Sequence, residues 1–540
     1  MSEQVDVLIV GAGPVGLSVA GFLGQQGRSV RVVERMEKLI DYPRAIGLDD
    51  ESLRTFQALG VADEVVPFTT PFHTMRIMTP AGKIFAAFEP MTTEFGWPRR
   101  NAFNQPETDK RLFNALAQYP SVNVTFNAEL KGFEQSADSV TATVDVEGNE
   151  ETITARFLVA ADGGNSFVRR TLGTTFEGKT APNQWVVVDI ANDPIGSPHV
   201  YLCADPERPY VSAALPLGIR RFEFMLMEGE KAEDYDSVES LHPLMSKLVS
   251  RPEKVEIMRH RVYTHNARIA AQFRHGNILL AGDAAHLMPV WQGQGYNTGI
   301  RDAANLGWKL NAVLSGKADA RLLDSYQLER RDHAKAMIDL SVMTGNVLAP
   351  PKVWHGKVRD VLARLMDFVP PVKRYFLEMR FKPAPQFKEG ALVQRQLTDG
   401  KLPVGKMLIQ PTVTREDGTA MKLDDVIGNN FAIIAWATDP LANLSDEQRT
   451  VWQALGAKFI RLLPANQVSQ AVPCKPDVIT LGDEGLTLRR WFAQTPASII
   501  FLRPDRYITA MAGPLTIDDV SREALQVLRI KKPLAEGAGA

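Results

Sequence analysis

Three glycines near the N-terminus have the spacing of a phosphate-binding turn. They are Gly11, Gly13 and Gly16, in the segment GAGPVG. Gly11 allows a tight turn, Gly13 lets backbone amides approach a pyrophosphate, and Gly16 lets a helix pack close to a sheet. Glu34 follows 18 residues after Gly16, where a carboxylate can hold ribose hydroxyls. The spacing predicts a dinucleotide site, with a purely structural glycine turn as the alternative.

The residues around this motif predict the β-α-β unit that would position it. Residues 5–10 (VDVLIV) form an almost continuous apolar run, typical of a strand buried in a parallel sheet. Small and apolar residues recur at helical spacing over 14–26, and residues 29–34 (SVRVVE) predict the next strand. Residues 277–286 (NILLAGDAAH) predict another buried strand. The apolar residues of 300–314 then step by three or four, which predicts a helix with one apolar face.

Alternating and irregular segments divide the rest of the chain. Short alternating runs predict an antiparallel meander over 121–161 that returns to a buried strand, and a second antiparallel sheet over 185–227. Residues 346–405 are irregular and contain paired prolines, which predicts a connecting segment. The remaining C-terminal residues have strand and helix patterns of their own, so a separate α/β unit is expected.

Composition excludes several classes of function. With 540 residues, 45% hydrophobic and 23% charged, the chain resembles soluble globular proteins of about three or four folding units. A net charge of −2 argues against nucleic acid or an anionic membrane as a partner. Cys203 and Cys474 form no CxxC or Cys/His cluster, so no metal site is expected. The absence of a long apolar run and of a signal peptide predicts a cytoplasmic protein.

Two further segments resemble the flavin-dependent aromatic hydroxylases. Residues 157–173 (FLVAADGGNSFVRRTLG) and 277–310 are similar to the DG and GD motifs of that family. The resemblance implies that Asp283 holds the ribityl chain of FAD and that the turn after Pro289 leads into a helix facing the flavin. Amides at a helix N-terminus would stabilise the negative charge of reduced flavin. The alternative is an aspartate that only caps the next helix.

More of the chain is similar to one branch, the bacterial 3-(3-hydroxyphenyl)propionate hydroxylases. The similar segments include 42–57, 94–106, 176–194 and 370–383. The branch implies an α/β fold: a Rossmann-like FAD-binding domain, an inserted antiparallel substrate-binding sheet and a thioredoxin-like C-terminal domain without the redox CxxC. The branch implies noncovalent FAD as the cofactor. The reactants it implies are NADH, O2 and a phenolic carboxylic acid such as 3-(3-hydroxyphenyl)propionate or 3-hydroxycinnamate. The acid would be hydroxylated ortho to its phenol. A homodimer is compatible with it.

The resemblance also implies a division of the chain and a set of cofactor residues. The FAD-binding domain is expected over 1–72, 101–184 and 266–345, the substrate domain over 73–100 and 185–265, the connecting segment over 346–405, and the C-terminal domain over 406–534. Motifs and resemblance together assign the cofactor to Gly11, Gly13, Pro14, Gly16, Glu34, Arg35, Arg44, Gln105, Asp162, Gly163, Gly282, Asp283, Pro289, Gly293, Gly295 and Asn297. Arg44 could instead form a surface salt bridge, and Gly293 and Gly295 could be turn formers only.

The sequence assigns no catalytic base. Related phenol hydroxylases have an aspartate directly after the Arg-Ala pair, but Ile46 stands there in this chain. Asp49 and Asp50 follow, and N-capping of the next helix is the favoured role for them. His286 is expected to pack or hydrogen-bond rather than react. Three residues lie in the predicted substrate segments: Tyr201, Tyr210 and His73. A role in the core or on the surface is favoured for each of them over a role in the active site.

A substrate carboxylate would be matched by the planar fork of an arginine. The candidates by residue type and location are Arg99, Arg100, Arg220 and Arg221. Rival hypotheses are an enzyme of the same fold with other chemistry, such as a halogenase, dehydrogenase or epoxidase, and a flavin-bound sensor without turnover. The halogenase motif WxWxIP is absent. No second GxGxxG is present for the nicotinamide, so the choice between NADH and NADPH stays open.

Overall fold

The computed structural model describes residues 2–205, 207–348, 371, 378–379, 382–399, 402–472 and 474–531. Over these ranges three large sheets and one small sheet build the protein. The α-helices are Pro14–Gly24, Asp50–Ala58, Ala62–Val65, Gln105–Ala115, Phe167–Thr171, Val238–Met245, Gly295–Leu314, Asp324–Leu348, Gln394–Asp399, Leu423–Ile427, Asp446–Ala454, Thr487–Phe492 and Ile517–Val527. None of the helices in the described ranges is long and apolar enough to cross a lipid bilayer.

The first sheet contains the predicted β-α-β unit. Its strands lie in the order Arg274–His275, Ile278–Leu280, Asn149–Ala160, Ser2–Val10, Val30–Val33 and Val122–Thr125, and Val140–Val146 and Ala128–Gln135 extend it beside Asn149–Ala160. Val7, Leu8 and Ile9 are fully buried, as expected for a strand covered on both faces. Val10 is paired with Ala160, and Ala160 with Leu280, in parallel register. The loops that follow these three strands therefore start side by side at one edge of the sheet.

The prediction of a meander over 121–161 was partly wrong. Val122–Thr125 pairs in parallel with Val30–Val33 at the sheet edge and is not part of the meander. Asn149–Ala160 is a single strand that pairs antiparallel with Val140–Val146 and parallel with Ser2–Val10. Alternation of side chains indicates a half-buried strand but carries no information on the direction of its neighbour.

The second sheet is mainly antiparallel, as predicted for 185–227. Its strands lie in the order His286–Leu287, Ile257–Ala270, Phe176–Ile190, Ile219–Met225, Tyr210–Leu215, Val200–Cys203, Met75–Met78 and Ile84–Phe88. Val186, Val188 and Phe222 pack on one face against the helix Val238–Met245. The other face carries Trp185, Met75, Val200, Val211 and Ala213, which pack with Ile46 and Trp291 from the first part of the protein. We call this second surface the inner face.

A small sheet joins these two parts. Arg100–Phe103 is its central strand, between Gly47–Asp49 and Thr69–Pro71. Asp49 is paired with Arg100, and Gly47 with Ala102, in antiparallel register. The strand that carries Arg100 is thereby fixed next to the turn at Gly47.

The C-terminal residues form the separate α/β unit that was expected. Its strands lie in the order Ala420–Lys422, Thr412–Thr414, Val478–Asp483, Lys458–Pro464, Ala432–Trp436, Ile499–Leu502 and Ile508–Ala512. Ala432–Trp436 is parallel to Lys458–Pro464 and antiparallel to Ile499–Leu502, an arrangement consistent with a thioredoxin-like unit. Most of the predicted connecting segment, 346–405, lies outside the described residues, and the domain boundaries remain a prediction.

Candidate cofactor and substrate site

Two of the three N-terminal glycines are required by the protein itself. Gly11 has φ +107°, and a Cβ there would lie 2.4 Å from the carbonyl oxygen of Ala161. A Cβ on Gly16 would lie 2.0 Å from the carbonyl oxygen of Gly11. Gly13 differs, because no protein atom lies within 4 Å of the position of its Cβ and its φ is −73°. The protein would accept a side chain at Gly13, because the space beside it is open.

The helix Pro14–Gly24 presents a free N-terminus to that space. Gly13 is its N-cap residue, no side chain caps it, and its first turn carries no acidic residue. The first N–H groups of a helix lack partners within the helix and attract phosphate. This helix of 11 residues can therefore bind the pyrophosphate that the glycine spacing predicts.

Glu34 lies beside the glycine turn. Its Oε2 accepts a hydrogen bond from the backbone N–H of Ala12 at 2.9 Å, and its Oε1 accepts one from Met36 at 3.0 Å. Each carboxylate oxygen can accept a further bond, so ribose hydroxyls can be held as well. Arg35, the next predicted residue, is exposed.

Asp162 and Gly163 follow the second of the three parallel strands. Oδ2 of Asp162 accepts from the N–H of Val168 at 3.2 Å. Its Oδ1 is buried without a partner in the described part of the chain. Asp162 therefore supports the first turn of the helix Phe167–Thr171, whose N-cap is Ser166, and keeps one acceptor unused in the described ranges.

Gly282 and Asp283 follow the third strand. The Asp283 carboxylate lies 3.6 Å from the Arg44 guanidinium, and the two side chains are 38% and 54% exposed. The structure thus brings together two predicted cofactor residues from distant parts of the chain, and it contains the salt bridge considered as the alternative for Arg44.

A buried network that we did not predict supports the Gly282 turn. Asp302 accepts hydrogen bonds from the N–H of Gly282 at 3.0 Å, from Nε2 of His286 at 2.7 Å and from Nε of Arg330 at 2.8 Å. Burial raises the pKa of Asp302, but His286 and Arg330 outweigh it and lower that pKa to about 2. His286 is therefore a hydrogen-bonding residue, as expected.

Gln105 uses its whole amide to hold the Arg44 loop. Its Oε1 accepts from the N–H groups of Arg44 and Ala45 at 3.2 and 2.8 Å, and its Nε2 donates to Asp109 at 3.0 Å. Tyr296 donates to the other oxygen of Asp109 at 3.1 Å. Burial raises the pKa of Asp109 to about 7. Gln105 acts on the cofactor region by positioning Arg44.

Asn297 plays the same part at the glycine-rich turn. Its Nδ2 donates to the carbonyl oxygens of Gly47 at 3.0 Å and Gly293 at 2.8 Å, and its Oδ1 accepts from Asp49 and Ser52. Gly293 has φ +63°, a left-handed conformation that explains the glycine. The Asn297 side chain therefore clamps two backbone turns together, and its backbone N–H is the group that could face a flavin.

Pro289 and Gly295 bracket this turn. Pro289 precedes a short 3-10 turn, and Gly295 begins the helix Gly295–Leu314, whose N-terminus has no side-chain cap. The helix after the GD motif is therefore confirmed, with its free N–H groups next to the clamped turns.

The carboxylates after Ile46 form a buried charge cluster. Asp49 caps the helix Asp50–Ala58 by accepting from Ser52, so the capping role is confirmed for it. Arg301 and Lys382 both contact Asp49 and Glu51. Burial raises the pKa of Asp49, but the two cations outweigh it and hold that pKa below its usual value. Burial raises the pKa of Asp50 to about 7, although the nearby cations Lys382 and Arg99 act to lower it.

Two of the four candidate arginines are fully committed to carboxylates. Arg220 contacts Asp193 at 2.6 Å, and Arg221 contacts Asp189 at 2.7 Å. Arg221 also donates to the carbonyl oxygen of Arg44 at 2.7 Å. These two arginines stabilise the sheet and the Arg44 loop and have no free fork for a ligand.

The other two candidates line a small cleft beside the clamped turns. Arg99 lies 4.0 Å from Glu94. Arg100 has no carboxylate or carbonyl acceptor among the described residues, and its nearest polar contact is Sδ of Met75 at 3.7 Å. Its Nε is buried without a partner. Burial lowers the pKa of Arg100 to about 10.

The aromatic and histidine candidates lie at the second sheet. Tyr201 shares a hydrogen bond of 2.8 Å with Ser197. Burial and the neighbouring Cys203 raise the pKa of Tyr210. Burial and Arg100 lower the pKa of His73 to about 3, so His73 is neutral and cannot neutralise an anion.

Sequence reasoning missed three polar residues on the inner face. Tyr263 donates to Glu223 at 2.8 Å, and Nε2 of His265 lies 3.1 Å from the Tyr263 hydroxyl. Burial raises the pKa of Glu223 and lowers that of His265 to about 4. The alternation in the segment VYTH, with positions 263 and 265 on one side of a strand, was the signal that could have revealed Tyr263 and His265.

A larger cavity of about 210 Å³ lies elsewhere, between the helix Gly295–Leu314 and the C-terminal unit. Phe22, Trp308 and Tyr507 are among its lining residues, and none of the sequence-predicted cofactor residues contributes to it. In the described ranges, no group of three or more His, Cys, Asp or Glu side chains is arranged to hold a metal ion.

Comparisons with known proteins agree with this geometry. The family described as FAD binding domain matches residues 4–341, and the family described as HcaD C-terminal domain matches residues 405–527. The chain is 56% identical to the 3-(3-hydroxy-phenyl)propionate/3-hydroxycinnamic acid hydroxylase of Escherichia coli (strain SMS-3-5 / SECEC), over 99% of this chain and 97% of that protein. A protein of the same name from Shigella sonnei (strain Ss046) shows the same identity and coverage.

Solved structures show the same fold. A ternary complex of aklavinone-11 hydroxylase with FAD and aklavinone has a TM-score of 0.77 at 26% identity, covering 97% of this chain and 99% of that one. The flavin-dependent monooxygenase PieE, in complex with FAD and substrate, has a TM-score of 0.78 at 20% identity with the same coverage. These likenesses agree with the matched family and with the convergence of three motifs at one sheet edge. Together they establish that the chain belongs to the FAD-dependent aromatic hydroxylases, in the 3-(3-hydroxyphenyl)propionate/3-hydroxycinnamic acid hydroxylase family.

Proposed function

We propose that this protein hydroxylates 3-(3-hydroxyphenyl)propionate, and 3-hydroxycinnamate as well, at the ring carbon ortho to the phenol and next to the side chain. The products are the corresponding 2,3-dihydroxy catechols of aromatic catabolism. One atom of O2 enters the ring, the other leaves as water, and NADH supplies the two electrons. Bound FAD, once reduced, would activate the O2.

The observation that supports this proposal best is the convergence of distant motifs. The loops after Val10, Ala160 and Leu280 start side by side, and the free helix N-terminus at Gly13 opens onto the same edge. The residues fit FAD in four respects: the open space at Gly13, the unfilled acceptor sites of Glu34, the facing pair of Arg44 and Asp283, and the uncapped helix at Gly295. We propose that these groups hold the pyrophosphate, ribose, ribityl chain and flavin ring.

The inner face supplies what oxygen transfer to a ring requires. Met75, Val200 and Ala213 are buried and apolar, and they pack close to Trp291 and Ile46. Such a surface excludes water and holds an aromatic ring by its faces. We propose that the substrate ring lies between this surface and the turn that Asn297 clamps.

NADH is proposed as a transient reactant rather than a tightly bound cofactor. The one dinucleotide turn that the sequence provides is assigned to FAD. An NADH-consuming catabolic enzyme whose Cys203 and Cys474 form no disulfide suits the reducing cytoplasm, where we propose that it works.

Turnover of three related compounds tests the proposal. NADH oxidation and peroxide release are measured with 3-(3-hydroxyphenyl)propionate, 3-phenylpropionate and 3-ethylphenol. The first should give catechol with little peroxide. The second should stimulate NADH oxidation but release peroxide, because a ring without the phenol oxygen is a poor acceptor. A flavin-bound sensor would show no stimulated NADH oxidation with any of them, and that result would refute the proposal.

A further inference from the structure

We propose that Arg100 is the residue that binds the substrate carboxylate. The identity of the ligand as an arylpropanoate rests on the proposed function. The site itself rests on three observations. The Arg100 guanidinium has no acidic partner in the described ranges, it lines a cleft, and an apolar surface lies next to it.

Among the described residues, Arg100 has neither a carboxylate nor a carbonyl acceptor, whereas Arg169, which also lacks an acidic partner, donates to the carbonyl oxygens of Ala284 and Gly164. The buried arginines that contact a carboxylate are Arg54, Arg220, Arg221, Arg301, Arg330, Arg503 and Arg506. Among the residues that the structure describes, Arg100 contacts only the thioether of Met75, a weak acceptor. Within the described ranges, its Nε hydrogen has no acceptor.

Arg100 is half-buried, and a guanidinium that is partly removed from water without an anion is energetically unfavourable. Proteins retain such a group where a ligand completes it, because a carboxylate can accept two parallel N–H bonds from the planar fork. Arg100 is therefore poised to bind a carboxylate more strongly than an exposed arginine would.

The cleft puts this cation next to the turns at Gly47 and Gly293 that Asn297 clamps together. It is lined by Gly47, Gly293, Asn297 and Met379 together with Arg100. The strand Arg100–Phe103 is hydrogen-bonded to the strand Gly47–Asp49, so the distance from the guanidinium to the turn is set by rigid secondary structure. A carboxylate held by Arg100 would therefore lie next to the turn.

The other cations of the cleft are already neutralised. Lys382 contacts Asp49 at 3.0 Å and Glu51 at 3.2 Å. Arg99 faces Glu94. Within the described lining of the cleft, Arg100 is thus the cation that remains for an incoming anion.

The surroundings of Arg100 also match the rest of the substrate. Met75, which contacts the guanidinium, belongs to the apolar inner face that continues through Val200 and Ala213. A carboxylate on Arg100 would direct the two methylene groups and the ring onto that face. The side chain between ring and carboxylate therefore acts as a spacer, and Arg100 makes the enzyme select acids over simple phenols.

Binding of 3-phenylpropionate to the FAD-loaded enzyme tests the site without turnover. Arg100→Met should weaken binding about 10- to 150-fold, since one charge-assisted interaction is lost. The affinity of Arg100→Lys should lie between those of the wild type and Arg100→Met, because lysine keeps the positive charge but lacks the planar fork of arginine. The matched control is Arg76→Gln, on the strand that also carries Met75 but paired with Glu89 at 3.5 Å, and it should bind like the wild type. Equal affinity of Arg100→Met and wild type would overturn the proposal.

Stability without ligand separates a binding role from a structural one. Since the Met75 thioether is the one polar contact that Arg100 makes with the described residues, Arg100→Met should melt at the same temperature as the wild type or above it. Added 3-phenylpropionate should raise the melting temperature of the wild type and of Arg76→Gln but not that of Arg100→Met. A variant that unfolds more easily in the absence of acid would show that Arg100 is a structural residue and overturn the proposal.

Kinetics with two phenols complete the test. For 3-(3-hydroxyphenyl)propionate, Arg100→Met should raise KM by the same 10- to 150-fold with kcat changed much less. For 3-ethylphenol, which has no carboxylate, KM should not change. If the wild type makes no catechol from the acid, the proposed function fails, while an acid affinity that depends on Arg100 still supports the site. If the wild type makes catechol and KM in Arg100→Met is unchanged, only the Arg100 proposal fails.

Discussion

Replacement of Gly13 by alanine separates cofactor binding from folding. No protein atom lies within 4 Å of the added Cβ, and a φ of −73° is accessible to alanine. The protein should therefore fold normally. If the pyrophosphate of FAD lies against this turn, the methyl group occupies part of its space, and the cost appears only on binding.

The expected magnitudes follow from these contacts. Alanine is a poorer N-cap than glycine but reduces the entropy of the unfolded chain, so the free energy of unfolding should change by less than about 1 kcal/mol. Forcing a methyl group into a filled site costs about 1 to 3 kcal/mol. This energy corresponds to about 5- to 150-fold weaker FAD binding.

The assay is titration of the apoprotein with FAD, followed by flavin fluorescence, with urea unfolding of the same samples. Gly16→Ala is the contrasting control, because its Cβ would lie 2.0 Å from a backbone oxygen and should destabilise the apoprotein itself. A Gly13→Ala protein that binds FAD with wild-type affinity would refute the placement of the pyrophosphate.

Three further changes have distinct expected outcomes. Asp283→Ala should weaken FAD binding about 10- to 150-fold with little change in unfolding, since the side chain is 38% exposed; unchanged FAD affinity in a titration would contradict its role. Burial raises the pKa of Asp109 from 3.8 to about 7, so between these pH values the folded protein binds a proton that the unfolded chain has lost. The free energy of unfolding therefore falls as pH rises from 3.8 to 7, by at most about 4 kcal/mol. Asp109→Asn should lack this loss, and urea unfolding at pH 5 and pH 8 would detect it; equal pH dependence would contradict the assignment. Arg221→Gln should lower the free energy of unfolding by about 3 to 5 kcal/mol, because Asp189 is left buried without its partner; a loss below about 1 kcal/mol in urea would contradict this.

The strongest sequence patterns predicted the framework of the site. The apolar run at 5–10, the glycine spacing and the helix after Pro289 depend on local packing and backbone conformation, which neighbouring residues determine. The second sheet and the C-terminal unit were predicted for the same reason. The direction of Val122–Thr125 was not, because a strand's partner is chosen by contacts far away in the chain.

Side-chain partnerships were harder to predict than backbone elements. Arg100, Arg220 and Arg221 looked alike in sequence, and only the fold reveals that Asp193 and Asp189 neutralise two of them. Gln105 and Asn297 share their residue types with cofactor ligands, yet their amide groups hold backbone turns.

The central claim is oxygen transfer from O2 to the ring of a phenolic acid. The most direct measurement is mass spectrometry of the product formed from 3-(3-hydroxyphenyl)propionate, NADH and isotopically heavy O2 by the FAD-loaded enzyme. We expect a 2,3-dihydroxy acid that contains one heavy oxygen atom, with NADH consumed in equal amount. Recovery of unchanged substrate, or a product whose new oxygen comes from water, would contradict the account.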